Sequence, residues 1–137
     1  MNLSRELQTG KAGEHLVCCD LISKGISAFL ADAGLPYDVL MDKGGKVVRI
    51  QVKTATHKID YGKSKDVYRF SLRSAKGACR SVKADEVDYI AFVFLDKRVV
   101  QYLPVSIITA ENGYLKQCLD FREEGKTKYV IGNFSNI

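Results

Sequence analysis

Pro36-Tyr37-Asp38-Val39-Leu40-Met41-Asp42-Lys43-Gly44-Gly45-Lys46-Val47-Val48-Arg49-Ile50-Gln51-Val52-Lys53 is the stretch that decides how this chain folds. Two apolar, β-branched runs flank Gly44-Gly45, the pattern of a β-hairpin. A type I′ turn needs positive φ at both central residues, and adjacent glycines supply it without steric cost. Counting outward from Lys43 and Lys46 places Asp38 opposite Gln51. Side chains alternate along a strand, so Lys53 projects with Gln51, while Val39, Met41, Val48, Ile50 and Val52 form the other face. One face is apolar. The other gathers an acid, an amide and an amine, and the chemistry is expected there.

Upstream, Ser4 suits the N-cap of a helix running to about Ser23, with Gly25 as its stop signal. At about 100° per residue, Leu3, Leu7, Glu14, Cys18 and Leu21 share one face, which sets Glu14 within an apolar stripe. A carboxylate there needs a partner, a metal or a raised pKa. A slightly rotated helix would place it at the stripe's edge instead. Gly10 and Gly13 flank it, weakening the helix but permitting close approach of another backbone or a nucleic-acid strand.

Ile26 to Leu30 reads as a first strand, and Asp32 to Pro36 as the turn into the hairpin. Val67 to Leu72 alternates as a further strand, and Ser74 to Val82 reads as a loop. Val87 to Leu95 is almost unbroken apolar sequence, as in a strand covered on both faces near the centre of a sheet. Val99 to Leu103 follows a short turn. Short helices are expected about Ser106 to Glu111 and Tyr114 to Phe121, and a short strand at Lys128 to Ile131.

At 137 residues, the chain suits a single domain over 1–137 with a real core. No apolar run approaches the roughly 18 residues of a membrane span, and the first residues lack a signal peptide's apolar core. A cytoplasmic protein is expected. Cys18, Cys19, Cys79 and Cys118 form no CxxC pair and read as packing thiols. His15 and His57 lack ligand-like spacing and read as surface residues.

Formal charge is +5 and unevenly placed. Lys58, Lys63, Lys65, Arg69, Arg73, Lys76, Arg80 and Lys83 face only Asp60 and Asp66, so residues 57–83 carry +6 and the remainder −1. Localised positive charge favours a polyanion. The plainer reading is a solvated, lysine-rich surface.

A helix with one acid, then an acid on one strand and Gln-x-Lys on the next, resembles the PD-(D/E)XK phosphodiesterases. The closer likeness is to their group I intron-associated endonucleases, through Gly13-Glu14, Tyr37-Asp38, Gln51-Val52-Lys53-Thr54-Ala55, Val87-Asp88-Tyr89 and Tyr102-Leu103-Pro104-Val105. The resemblance spans roughly residues 7 to 110. It implies an α/β, restriction-endonuclease-like core: a mixed sheet with an N-terminal helix and an antiparallel meander, flanked by helices.

The resemblance also implies a Mg²⁺-dependent (or Mn²⁺-dependent) endonuclease that hydrolyses DNA phosphodiester bonds. Two negative species must meet in that reaction, and a divalent cation offsets their charge and activates water. Glu14, Asp38 and the Val52 carbonyl would then be metal ligands, and Glu14, Asp38, Gln51 and Lys53 the catalytic set. Gln51 stands where the usual motif has a carboxylate, so it offers an oxygen but no charge. Lys53 would orient the water or stabilise developing charge. Lys46, Lys58, Lys63, Lys65, Arg69, Arg73, Lys76 and Arg80 are the candidate phosphate contacts, which set affinity rather than sequence preference. A homodimer or homotetramer follows from the resemblance. The alternative is a nuclease-fold nucleic-acid-binding protein that has lost cleavage, because Gln51 replaces an acid. For Asp38 and Lys53 the plainer alternative is a cross-strand salt pair.

Overall fold

The computed structural model describes residues 4–60, 62, 66–73 and 82–137. Helix α1 spans Arg5–Ser23. Strands β1 (Ser27–Leu30), β2 (Val39–Lys43), β3 (Lys46–Ala55), β5 (Tyr89–Phe94) and β6 (Val99–Pro104) form one sheet in that spatial order. β3 pairs in parallel with β5 and the other pairs are antiparallel, so the sheet is mixed. β4 (Tyr68–Ser71) and β7 (Cys118–Phe121) form a second, two-stranded sheet. Among the described residues no helix is long and apolar enough to cross a membrane.

Each end of α1 is set by a local signal. The Ser4 hydroxyl accepts from the Leu7 N–H at 3.3 Å, satisfying one orphan donor of the first turn. At the other end Gly25 takes φ 82°. The Ile26 N–H then reaches Leu21 O and the Gly25 N–H reaches Ile22 O, a Schellman closure that only a residue tolerant of positive φ completes cheaply. The buried stripe is Gly13, Val17 and Leu21, not the stripe through Leu7 and Glu14. Leu7 is 58% exposed, and Leu3 lies outside the described residues. The helix crosses the sheet with its second half, and its first turns overhang the end of β3.

The hairpin forms with Gly44 at φ 61° and Gly45 at φ 84°. Its register runs Lys43↔Lys46, Met41↔Val48 and Val39↔Ile50, as the glycine count requires. Val39, Met41, Ile50, Ala91 and Val93 are buried with Val17 and Leu21, forming the helix-side core. β5 lies next to the central strand β3, near the centre as its apolar run requires, and is covered on both faces. Ile90, Phe92 and Phe94 point into a second core with Tyr68, Phe70 and Phe121. The rings meet edge to face, Tyr68–Phe94 at 4.8 Å and Phe70–Phe92 at 5.0 Å between centroids, the orientation their quadrupoles favour. The Tyr68 hydroxyl donates to Asp96 at 2.7 Å, satisfying its one polar atom. Burial first, and then this bond, push its pKa up.

The C-terminal third departs from the helices expected there. Only Val105–Ile107 coils, as a 3-10 turn. Ala110 to Gly113 is a reverse turn closed by the Gly113 N–H on Ala110 O, with Gly113 at φ 83°, and it cuts into the first expected helix. Cys118–Phe121 instead pairs with β4, burying Leu119 and Phe121 on one side. At 128–131 there is a single bridge, Arg122↔Val130, rather than a strand. The last turn hooks onto β6. Buried Gln101 accepts from the Gly132 and Phe134 N–H groups at 2.8 and 3.0 Å, and the Tyr102 N–H donates to Phe134 O. Cys18 is half-buried, whereas Cys19 and Cys118 are exposed free thiols rather than packed ones. Cys79 and residues 74–81 of the loop expected at Ser74 to Val82 lie outside the described residues.

Candidate active site

The hairpin ladder stops one step short of the pairing expected for Asp38. Val39 pairs with Ile50, yet the Asp38 N–H also bonds the Ile50 carbonyl at 2.9 Å. Two consecutive residues thus face one, the local arrangement of a β-bulge, which re-aims a side chain. Asp38 therefore does not stand squarely opposite Gln51. Its Oδ2 accepts from the Val52 backbone N–H at 2.9 Å. That bond fixes the carboxylate against the peptide that links Val52 to Gln51.

Gln51 is 7% exposed, and its Oε1 is buried with no hydrogen-bond partner among the described residues. An orphaned buried acceptor costs about 1–3 kcal/mol and calls for an explanation in the site's chemistry. Lys53 Nζ donates to the Arg73 carbonyl at 2.8 Å. This tethers the side chain to the chain just after β4.

The helix that carries Glu14 reaches the same strand end through Gly13. A Cβ built on Gly13 would fall 1.8 Å from Thr54 Oγ1 and 3.0 Å from Thr54 Cβ. Only glycine lets α1 approach β3 this closely, and Glu14 follows it directly. The Glu14 side chain is 16% exposed, with Lys11 Nζ at 3.8 Å from Oε2. Its charge, after burial, helps to raise the pKa of Cys18 one turn on. Thr54 Oγ1, pressed beneath Gly13, is a second buried oxygen without a partner among the described residues.

The candidate oxygen donors to a cation are the Glu14 and Asp38 carboxylates, the Val52 carbonyl and Gln51 Oε1. Hard divalent cations such as Mg²⁺ take oxygen donors of these kinds, and an unpartnered buried Oε1 fits such a role. Among the described residues no three His, Cys, Asp or Glu side chains group together. The charged part of the donor set is two carboxylates.

The candidate phosphate contacts are dispersed. Lys46 sits exposed on the hairpin, five residues and so roughly 17 Å of strand from Gln51. Lys58 pairs with Glu123 at 3.3 Å. Arg69 forks onto Asp120 with bonds of 2.8 and 2.9 Å, and exposed Arg73 contributes its carbonyl to Lys53. Lys63, Lys65, Lys76 and Arg80 lie outside the described residues. Arg49 is engaged with Asp88 through its backbone N–H at 2.8 Å and its guanidinium at 3.1 and 3.2 Å. That contact holds the Asp88 carboxyl below its ordinary range and raises Arg49.

A groove of about 490 Å³ opens where α1 overhangs β3, lined by Arg5, Gly10, Lys53, His57 and Arg69 among others. Sequence reasoning gave no role to Arg5 and left His57 as a surface residue. The signal that points to this groove is helical spacing: Gly10 lies one turn before Glu14 and so on the same face.

These features can be set against known proteins. The fold matches a bacterial homing endonuclease, I-Ssp6803I, with a TM-score of 0.65 and 16% identity, over 95% of this chain and 83% of that one. It also matches Hjc, a Holliday junction resolvase from Archaeoglobus fulgidus, with a TM-score of 0.51 and 17% identity, over 81% and 83%. No curated protein matches by sequence. The profile of the PD-(D/E)XK endonuclease family matches residues 5–130. That span takes in the helix of Glu14, the bulge that turns Asp38 onto Val52, and Gln51-Val52-Lys53, and the chain belongs to the PD-(D/E)XK endonuclease family.

Proposed function

We propose that this protein is a metal-dependent endonuclease that hydrolyses phosphodiester bonds in DNA, with Mg²⁺ or Mn²⁺ as cofactor. The observation that carries the reading is the Asp38 carboxylate fixed on the Val52 amide, while Gln51, the residue before Val52, keeps a buried Oε1 that has no partner among the described residues. Asp38, Glu14, the Val52 carbonyl and Gln51 Oε1 would hold the ion. When bound, a divalent ion offsets the charge of phosphate and nucleophile and lowers the pKa of a water.

The chain's own groups do the rest. The Val52 N–H keeps Asp38 in one rotamer, so its second oxygen is presented without reorganisation, and preorganised charge is where enzymes gain most. An ammonium donates hydrogen bonds and accepts none. Lys53 already acts as a donor, to the Arg73 carbonyl, which supports electrostatic stabilisation of the phosphorane over a general-base role. Gln51 completes the oxygen set without adding charge, leaving Glu14 to supply the second carboxylate. We further propose a single domain acting in the cytoplasm as a homodimer or homotetramer, since one chain offers one such site and a double-strand cut takes two.

Plasmid DNA incubated with Mg²⁺ tests the reaction. Nicking or linearisation by the wild type, lost in Asp38→Ala and in Lys53→Ala, is expected. Absence of metal-dependent cleavage on supercoiled, linear and branched DNA would overturn it. One observation favours a second reading, a DNA-binding protein without cleavage: only two carboxylates stand in the donor set. Calorimetric titration separates the two. No Mg²⁺ or Mn²⁺ binding, with salt-sensitive DNA affinity intact, selects the second.

A further inference from the structure

The two glycines of α1 have different explanations. Gly13 is required by Thr54, whose Oγ1 would lie 1.8 Å from an added Cβ. At Gly10 an added Cβ meets nothing within 4 Å. A glycine inside a helix weakens it, and nothing in the described fold requires one at position 10. It forms the open floor of the groove beneath the first turns of α1. The groove's volume of about 490 Å³ falls within the ~300–1,000 Å³ of sites that take small ligands, the scale of a nucleotide unit rather than of a duplex.

The groove's rim is chemically selective. Arg69 is engaged by Asp120, and Lys53 donates to the Arg73 carbonyl. Arg5 differs from both: among the described residues its guanidinium has no ion pair or hydrogen bond. His57 Nδ1 lies 2.8 Å from Thr56 Oγ1. With that hydroxyl donating, the ring proton resides on Nε2, making it a donor. A guanidinium and an imidazole N–H on one groove, beside Lys53, match the acceptor oxygens of a phosphodiester. Glu6 lines the same groove and opposes such a ligand.

We propose that this groove seats the backbone of the cleaved strand next to the scissile phosphate, with a neighbouring phosphate held by Arg5 and His57 and the sugar-phosphate chain passing over Gly10. The inference rests on the nuclease reading and adds a binding subsite to it. It assigns Arg5, His57 and Gly10 as positioning residues.

The test is binding of a fluorescently labelled oligonucleotide duplex across a salt series, without divalent metal so that nothing is cut. Arg5→Ala should weaken binding roughly tenfold, the loss of one charge-assisted contact, and reduce the slope of log K against log salt by about 0.9. His57→Ala should weaken binding and Glu6→Gln should tighten it. Gly10→Ala should raise Tm and yet weaken binding, a combination that a purely structural role for Gly10 does not produce. If the wild type binds and all four variants keep its affinity and salt slope, the subsite is wrong and the nuclease reading stands. If the wild type binds no DNA, the subsite is wrong, and the nuclease reading falls with it only when plasmid cleavage in Mg²⁺ is absent too.

Discussion

Gly13→Ala sets two effects of known size against each other. Alanine is favoured over glycine inside a helix by about 1 kcal/mol, so propensity alone predicts a more stable protein. The structure predicts the opposite. The new Cβ would lie 1.8 Å from Thr54 Oγ1, 3.0 Å from its Cβ and 3.2 Å from its Cγ2. Threonine is stiff at χ1, and a rotation that turns Oγ1 away still leaves Thr54 Cβ 3.0 Å from the added carbon. α1 and β3 must therefore separate by an ångström or more, loosening the packing of Val17 and Leu21. Overpacking of this kind costs about 1–3 kcal/mol. With the propensity gain subtracted, a net loss of roughly 0–2 kcal/mol remains, in place of the gain that propensity alone predicts. Urea unfolding followed by circular dichroism should show a lower midpoint at unchanged m.

Gly10→Ala, with open space above it, is the internal control and should gain about 0.5–1 kcal/mol. Adding Thr54→Ala to Gly13→Ala should recover part of the loss, giving a coupling energy above about 0.5 kcal/mol in the double-mutant cycle. Glu14 travels with the displaced helix. Under the nuclease reading, cleavage should therefore fall by about 100-fold, the effect of an ångström's misplacement, while the protein stays folded. A Gly13→Ala protein stabilised as much as Gly10→Ala, or a cycle with additive effects, would refute the close-approach argument.

Three further perturbations follow from the same coordinates. Gln51→Glu places a carboxylate in a position 7% exposed. It should lower Tm in chelator and recover with Mg²⁺ or Mn²⁺, since an unpaired buried charge is costly; an equal Tm change in both buffers counts against a cation at this position. The Asp88 carboxyl is held below its ordinary 3.8 chiefly by the Arg49 guanidinium, so this pair stabilises the fold above that value and the benefit fades as pH falls through the lowered one. Because both side chains are more than a third exposed, the contribution is at most about 1 kcal/mol. Asp88→Asn should lose it between pH 5 and 8 and converge with the wild type near pH 2, and a stability difference independent of pH would contradict the assignment. Gln101→Leu removes the acceptor of two backbone N–H groups, a cost of about 1–3 kcal/mol; hydrogen exchange at Gly132 and Phe134 should accelerate, and unchanged protection there would sink the idea that Gln101 anchors the tail.

The elements legible in the sequence are those specified by neighbours in the chain. Gly44-Gly45 determines its own turn and thereby the register out to Val39↔Ile50. Ser4 and Gly25 close α1 through bonds within the helix's end turns. The misread elements depend on partners far along the chain. Leu115 and Leu119 sit four residues apart and imitate a helix face, but Cys118–Phe121 is a strand because β4, some fifty residues earlier, offers it an edge. Asp38 leaves the ladder because of the extra bond to Ile50 and the reach to Val52, which no periodicity encodes. The basic segment looked uniform in sequence. Arg69 and Lys58 are in fact engaged by Asp120 and Glu123, acids that simple counting assigned to another region.

β5 serves as a party wall. Alternate residues of this one strand, Ala91 and Val93 on one side and Ile90, Phe92 and Phe94 on the other, are shared between the helical storey and the aromatic storey. Neither storey can be dismantled while the other stands, because removing the wall strips the contacts of both. Helicity followed by far-ultraviolet dichroism and ring environment followed by tyrosine absorbance should therefore melt at one temperature.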